Sequence, residues 1–285
     1  MIHTTLITPA MLAAHLDHPG WVVIDCRFSL ADPAAGERAY REGHIPGARY
    51  AHLDRDLAAP VTPASGRHPL PAPEWLAVEL GVWGVAADSQ VVAYDDAGGA
   101  FAARLWWLLR WLGHAAVAVL DGGLSRWRRE GRSVSDALPS VTAVTFTPRA
   151  ALGQAVTVER LQRELAAGEG VVLDARAPER FRGEVEPLDP VAGHVPGAHN
   201  RPLQNNLDGQ ACFLAAGELR RQFHQLLGGT RPEQVVHMCG SGVTACHNLL
   251  AMEHAGLPGS RLYAGSWSEW IRDPARPVAR GRRDE

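Results

Sequence analysis

Cys239 is the side chain in this sequence best placed to act as a nucleophile. It follows the apolar run 234–238 and opens the loop Cys239-Gly240-Ser241-Gly242-Val243-Thr244, ahead of a helical stretch expected to reach about residue 255. In parallel α/β sheets, ligands bind where strands end and helices begin. Glycines at 240 and 242 permit a tight turn that aims successive amide N–H groups inward. The helix N-terminus adds its partial positive charge. Together these dipoles suit an anionic sulfur without any charged side chain. The bland alternative is an inert cysteine buried in a tight turn, and the strand–loop–helix context favours the reactive thiol.

Two other chemistries compete for the same loop. A phosphate-binding Cys-x5-Arg loop requires Arg six residues after the cysteine, and Ala245 stands there. A zinc site built from His237, Cys239, Cys246 and His247 would need ligands at knuckle spacing, two to four residues apart. Cys239 and Cys246 are separated by a loop and a helix start instead, so no metal is expected.

The elements that position this loop occur twice. Val22-Val-Ile-Asp-Cys-Arg returns as Val171-Val-Leu-Asp-Ala-Arg, Gly43-His-Ile-Pro-Gly-Ala as Gly193-His-Val-Pro-Gly-Ala, and Gln90-Val-Val-Ala-Tyr-Asp as Gln234-Val-Val-His-Met-Cys. Asp121-Gly-Gly-Leu-Ser-Arg-Trp is echoed by Ala264-Gly-Ser-Trp-Ser-Glu-Trp. Blocks recurring in one order roughly 150 residues later mark a duplicated domain rather than a solenoid. Each copy opens with a helix capped by Thr8 (with Pro9) or Thr157. β-Branched runs at 21–25, 90–94, 171–174 and 234–238 read as buried parallel strands, and amphipathic helices after the second and fourth should end at Gly113 and Gly256.

The expected fold is therefore α/β: tandem duplicated domains, each a central parallel sheet flanked by helices. The first should span 1–131 and the second 156–285, joined by a Ser/Thr/Pro/Ala-rich linker at 132–155. Asp95 occupies the cysteine position of the first copy and cannot do thiolate chemistry. One active site, in the second copy, is the consequence.

Composition agrees and excludes much. A chain of 285 residues with 46% hydrophobic residues and a net charge of −3 supports two ordinary globular domains. All 28 basic residues are Arg, which removes Schiff-base, pyridoxal-phosphate and P-loop lysine chemistry. The charge balance leaves no nucleic-acid footprint. The most apolar stretch, 101–120, is interrupted by Arg104, Arg110 and His114, so no membrane span is expected. With no secretory leader visible after Met1 and four cysteines that form no disulfide framework, a cytoplasmic, reduced protein is expected.

On these residues the chain resembles the two-domain rhodanese-like sulfurtransferases. The neutral Cys-Gly-Ser-Gly-Val-Thr loop is closer to the 3-mercaptopyruvate branch than to the thiosulfate-using rhodaneses, which carry basic residues after the cysteine. The resemblance implies tandem rhodanese-like domains and transfer of sulfane sulfur through a Cys239 persulfide. The donor would be 3-mercaptopyruvate or, alternatively, thiosulfate. A thiol, cyanide or a thioredoxin-like protein would accept the sulfur, with no cofactor. It further implies that Arg180 grips the donor carboxylate, a bidentate task suited to a guanidinium. Ser241, His68 and Asp54 would form a proton relay, with the loop residues Gly240, Gly242, Val243 and Thr244 lining the donor site.

The family also places a second Arg after a Glu-Pro pair, but here Glu186-Pro187 is followed by Leu188. Arg182 and Arg201 are the candidates to replace its charge, and the departure keeps open a sulfur-carrier protein with a dedicated partner. His44 and His194 recur in both copies and are assigned to structural turns. Trp106, Trp107 and Trp111 lie at helical spacing and are assigned to packing. Gly265, Ser266 and Trp267 suit either packing or substrate contact, and the basic tail after Arg276 is expected to be mobile.

Overall fold

Among residues 2–281, which the computed structural model describes, ten strands form two five-stranded, all-parallel sheets, one in each of two units. Unit 1 gathers the chain through Ala59 with Leu70–Gly153 and Leu207–Phe213; unit 2 gathers Pro60–Pro69, Gln154–Asn206 and Leu214 onward. A short segment of each half is thus counted with the other half's unit.

Unit 1 runs β1 (Leu6–Ile7), α1 (Pro9–Ala13), β2 (Trp21–Asp25), α2 (Ala35–Glu42), β3 (Arg49–Tyr50), α3 (Leu53–Asp56), α4 (Pro73–Val82), β4 (Gln90–Tyr94), α5 (Ala102–Trp111), β5 (Val117–Leu120) and α6 (Gly123–Arg129), with strand order β1-β5-β4-β2-β3. Thr8 caps α1 as its residue type predicts, accepting the Met11 N–H at 3.2 Å. β2 and β4 pair from Trp21 with Gln90 to Asp25 with Tyr94. Their Val-rich sequences are buried on both faces, as parallel strands between helices must be. Trp106 and Trp107 on α5 are buried, and Trp111 stacks on Trp107, so the helical tryptophan triplet is packing.

Unit 2 repeats the plan: β6 (Gln154–Ala155), α7 (Val158–Ala166), β7 (Val171–Asp174), α8 (Pro178–Phe181), β8 (His199–Asn200), α9 (Ala216–Leu227), β9 (Val235–Met238), α10 (Ala245–His254), β10 (Arg261–Leu262) and α11 (Ser266–Trp270). Its order, β6-β10-β9-β7-β8, is the same topology. Thr157 caps α7 through the Arg160 N–H. Gly113 and Gly256 follow α5 and α10 at φ +81° and +74°, the left-handed position that glycine occupies without a Cβ penalty.

The repeated blocks do the same structural work twice. Arg27 chelates Asp25 (2.7 Å) and donates to the Gly43 carbonyl (2.9 Å); Arg176 chelates Asp174 (2.7 Å) and donates to the Gly193 carbonyl (2.8 Å). Both pairs are buried, and the extra carbonyl bonds satisfy donors that would otherwise be stranded. His44 and His194 are buried, bond the carbonyls of Tyr40 and Phe181 through Nδ1, and stack on those rings at 4.1 and 3.8 Å. Their role is therefore structural.

Residues 132–153 contain no helix or regular strand and run against unit 1, where Ser135 bridges to His44 and the Val144 N–H reaches the Gly81 carbonyl. Gln154–Ala155 already belong to the second sheet, paired with β10. The expectation of a mobile tail after Arg276 is corrected as far as Gly281. Pro277 accepts the Trp270 indole N–H, Ala279 bridges to His194, and the Gly281 N–H reaches the Arg182 carbonyl. The Ala279–His194 bridge is possible because Gly193 has no Cβ, which would stand 2.4 Å from the Ala279 oxygen. Residues 282–285 lie outside the described residues. No helix of the described residues is long and apolar enough to cross a membrane.

Candidate active site

Strand β9 delivers Cys239 to the carboxyl edge of the second sheet, and the loop turns there into α10. The turn depends on Gly242, at φ +78°, whose hypothetical Cβ would lie 2.2 Å from the Ala264 carbonyl oxygen. Because the backbone can come this close, the Gly242 N–H points back at Cys239 Sγ, 3.1 Å away. That is one amide aimed at the sulfur by loop geometry.

Neighbouring groups fix Cys239 from behind. The Cys239 N–H donates to Ser266 Oγ (3.1 Å), and Ser266 Oγ donates to the Tyr263 carbonyl (2.9 Å). The Trp267 and Ser268 N–H groups donate to the carbonyls of Cys239 and Gly240. Ser266 holds this position at φ +54°, a left-handed conformation uncommon for a residue with a Cβ. Trp267 is buried, donates its indole N–H to Val191, and carries the Arg176 guanidinium over its ring at 4.8 Å. For Ser266 and Trp267, support and packing is the role these contacts describe.

His68 is part of unit 2, although it precedes α4 in the first half of the chain. Its Nδ1 lies 2.7 Å from Ser241 Oγ, and both residues are buried. The pair that the resemblance implied is in hydrogen-bond contact. Gly66 makes the approach possible, since a Cβ there would stand 2.4 Å from the Gly265 carbonyl oxygen. Asp54 lies in unit 1, near the start of α3, where its N–H donates to His52 Nδ1. Val243 is buried and Thr244 precedes α10 as its N-cap residue.

Arg180, on α8, faces the loop: a Cβ placed on Gly240 would stand 3.5 Å from its Nη2. The guanidinium pairs with Glu186 (2.6 Å) and reaches Asp189 (3.5 Å). Burial raises the Glu186 carboxyl, but Arg180 and the amides of Leu188 and Asp189 outweigh it and hold the group below the usual carboxylate range. Neither proposed replacement for the missing second Arg comes to this place. Arg182 is spent on Glu184 in an exposed pair. Arg201 bonds Asn205 and Asn206 and lies over the Phe223 ring at 4.8 Å, locked in a buried network with Asn248.

The cation that does reach the loop is Arg67, which sequence reasoning passed over. Its Nη2 would stand 2.9 Å from a Cβ on Gly240, and its Nη1 bonds Asp189. Its position beside His68 was the available signal, since any segment that presents His68 to Ser241 also brings its neighbour to the loop. Burial, then the Asp25, Asp95 and Asp56 charges, pushes the Cys26 thiol well up. Burial and Asp121 raise that of Cys212. Cys246 Sγ bonds the Gly242 carbonyl.

The rhodanese-like domain model matches residues 8–130 and 157–273. The chain is 51% identical to a probable 3-mercaptopyruvate sulfurtransferase of Pseudomonas aeruginosa, across 99% of this chain and 100% of that protein. It is 42% identical to a putative thiosulfate sulfurtransferase of Mycobacterium tuberculosis, across 97% of each. The solved 3-mercaptopyruvate sulfurtransferase from Leishmania major superposes with a TM-score of 0.84 at 30% identity, covering 95% of this chain and 76% of that one. Duplicated parallel sheets, a cysteine loop on the second and matches in both halves lead to one conclusion: the chain belongs to the rhodanese-like family, with two tandem rhodanese-like domains.

Proposed function

We propose that this protein is a 3-mercaptopyruvate sulfurtransferase that works by a ping-pong route through a Cys239 persulfide. The observation that carries the reading is the Cys239 loop: a sulfur facing the Gly242 amide, next to a serine hydrogen-bonded to a histidine, with no charged side chain in the loop itself. The identity to the Pseudomonas aeruginosa relative supports the same donor.

The Cys239 thiolate attacks the donor sulfur. The carbon–sulfur bond breaks, its electron pair passes to the enolate of pyruvate, and the new sulfur remains as a persulfide. The donor thiol proton ends on the methyl carbon of pyruvate, and Ser241 with His68 is placed to move it; the family resemblance adds Asp54 to that relay. The amides of residues 240–244 steady the persulfide anion. An acceptor such as cyanide, a small thiol or a thioredoxin-like protein then attacks the terminal sulfur and releases the thiolate. Arg180 binds the donor carboxylate. The nucleophile is assigned to the second repeat, 156–285, and not to the first, 1–131, where Asp95 stands at the cysteine position. A reducing, cytoplasmic setting belongs to the reading, because the nucleophile must remain a thiolate.

Sulfur transfer to cyanide from 3-mercaptopyruvate and from thiosulfate, with Cys239→Ser as the blank, tests it. The expected result is strong preference for mercaptopyruvate and at least about a thousandfold loss in the variant. Preference for thiosulfate would move the protein to the rhodaneses. Loading of Cys239 with negligible turnover from both donors would indicate a sulfur carrier, and full activity in Cys239→Ser would overturn the mechanism.

A further inference from the structure

We infer that Arg67 is the second anion-binding arm of the donor site, and that Asp189 is the internal anion that a donor carboxylate displaces. The inference rests on the reading of Cys239 as the sulfur-accepting nucleophile. Its basis is a convergence within unit 2. Arg67 and Arg180, from segments far apart in the chain, bring their guanidinium groups against Gly240, the residue next to the nucleophile. Asp189 stands between them, one carboxylate oxygen on Arg67 Nη1 and the other 3.5 Å from Arg180 Nη2.

A carboxylate gripped by two guanidinium groups beside Cys239 is the arrangement a carboxylate-bearing donor needs. The family resemblance placed the second cation at position 188. Here Leu188 is 43% exposed and offers none. The charge enters from residue 67 instead, and the backbone shows that this arm is built in. The Arg67 N–H donates to Ser268 Oγ (3.0 Å), while the Ser268 N–H donates to the Gly240 carbonyl (2.9 Å). One residue of α11 therefore ties the base of the arm to the loop it serves.

The charges also predict selectivity. Arg67 and Arg180 face Asp189 and Glu186, so the two cations are balanced by two acids. A monoanionic donor that displaces Asp189 from the guanidinium groups leaves that balance nearly unchanged. A dianion such as thiosulfate brings a second negative charge beside Glu186 and the displaced Asp189, which repel it. Asp189 is in this sense a specificity residue, acting against the doubly charged donor.

Alkylation of Cys239 by iodoacetate and by iodoacetamide isolates the effect. The two reagents differ in the carboxylate, and neither depends on the identity of the natural donor. With the rate read by mass at the Cys239 peptide, Arg67→Ala should slow iodoacetate roughly 10- to 100-fold, the value of a hydrogen bond to a charged group. Iodoacetamide should change by less than about twofold, and Arg67→Lys should recover part of the loss as a point charge. In turnover, Arg67→Ala should raise KM for mercaptopyruvate with kcat nearly constant. Asp189→Asn should raise kcat/KM for thiosulfate relative to mercaptopyruvate several-fold.

Equal slowing of both reagents would mean that Arg67 only supports the loop and would overturn the proposal, as would an unchanged iodoacetate rate. An unchanged donor ratio in Asp189→Asn would remove the selectivity role. If neither reagent reacts at Cys239 in the wild-type protein, the nucleophile reading itself fails, an outcome distinct from failure of the Arg67 arm.

Discussion

The loops that follow β4 and β9 occupy the same place in the two sheets and turn different side chains toward their own amides. In the first, Asp95 turns its carboxylate into its own loop and accepts the N–H groups of Ala97, Gly99, Phe101 and Ala102 at 2.8–2.9 Å, ahead of α5. In the second, Cys239 Sγ takes the Gly242 N–H at 3.1 Å. A strand running into a helix N-terminus makes an anion cradle in either case. A built-in carboxylate closes the first cradle, whereas a sulfur can be extended by one atom within the second. The fold supplies the cradle twice, and one side chain decides what occupies it.

The supporting turns diverge in the same sense. The Leu124 N–H reaches the Asp95 carbonyl just as the Trp267 N–H reaches that of Cys239. The left-handed residue before it is Gly123 (φ +55°) in the first unit and Ser266 (φ +54°) in the second. Glycine adopts that conformation freely. Serine does so at a cost on the order of 1 kcal/mol, and here its hydroxyl bonds the Cys239 N–H. The strained residue stands behind Cys239, not behind Asp95.

The comparison breaks most visibly at Asp95. Asp95→Ala leaves four amides without their carboxylate and should cost about 3–5 kcal/mol in urea unfolding; a loss below about 1 kcal/mol would show that the first cradle is not held closed this way. Next in size, His68→Ala should lower kcat about 100-fold, the scale of a lost general acid–base partner. Bound mercaptopyruvate should be nearly unaffected, which single-turnover kinetics would separate from a binding defect.

His237 offers a third contrast, because its counterpart in the first copy is Ala93. Burial pushes the His237 imidazole down to about 3, and neither ring nitrogen has a hydrogen-bond partner among the described residues. Above pH 6.5 the ring is neutral in both folded and unfolded chains, so it adds no pH dependence. As pH falls from 6.5 toward 3, the unfolded chain takes up a proton that the folded chain refuses, and stability falls by up to about 1.4 kcal/mol per pH unit. His237→Leu should flatten that decline between pH 7 and pH 5, as measured by denaturant midpoints; an unchanged slope would locate the acid sensitivity elsewhere. The smallest effect is expected at Ser266→Gly, which relieves strain and removes the two hydrogen bonds of the hydroxyl, to the Cys239 N–H and the Tyr263 carbonyl. Stability should move by less than about 1 kcal/mol while kcat falls a few-fold, and a larger fall in stability would make the hydroxyl a structural anchor first.

Much of this was legible in the residues. Recurrence of the Val-Val-Ile-Asp and Gly-His-Ile-Pro-Gly-Ala blocks announced two sheets, and the strands and glycine-terminated helices lie where β-branched runs and Gly113 and Gly256 put them. These are local signals, set by side-chain shape and backbone freedom. The second cation was harder to find, because Arg67 resembles any loop arginine and acquires its meaning only beside Asp189 and Gly240. Arg201 shows the reverse. It is a plausible substrate cation by its number, yet it is committed to Asn206 and the Phe223 ring inside unit 2.

The sequence by itself determined the duplication, the parallel strands, the glycine-paired cysteine loop and the replacement of cysteine by Asp95 in the other copy. Each of these follows from the preferences of a few adjacent residues. Tertiary structure alone decided that segment 60–69 is counted with unit 2, that His68 meets Ser241, and that Arg67 and Arg180 close on one carboxylate. The His68–Ser241 and Arg67–Asp189 contacts join residues 173 and 122 positions apart. Their energies depend on distances that only the folded backbone sets, through glycines at 66 and 242 that let one strand of chain lie against another.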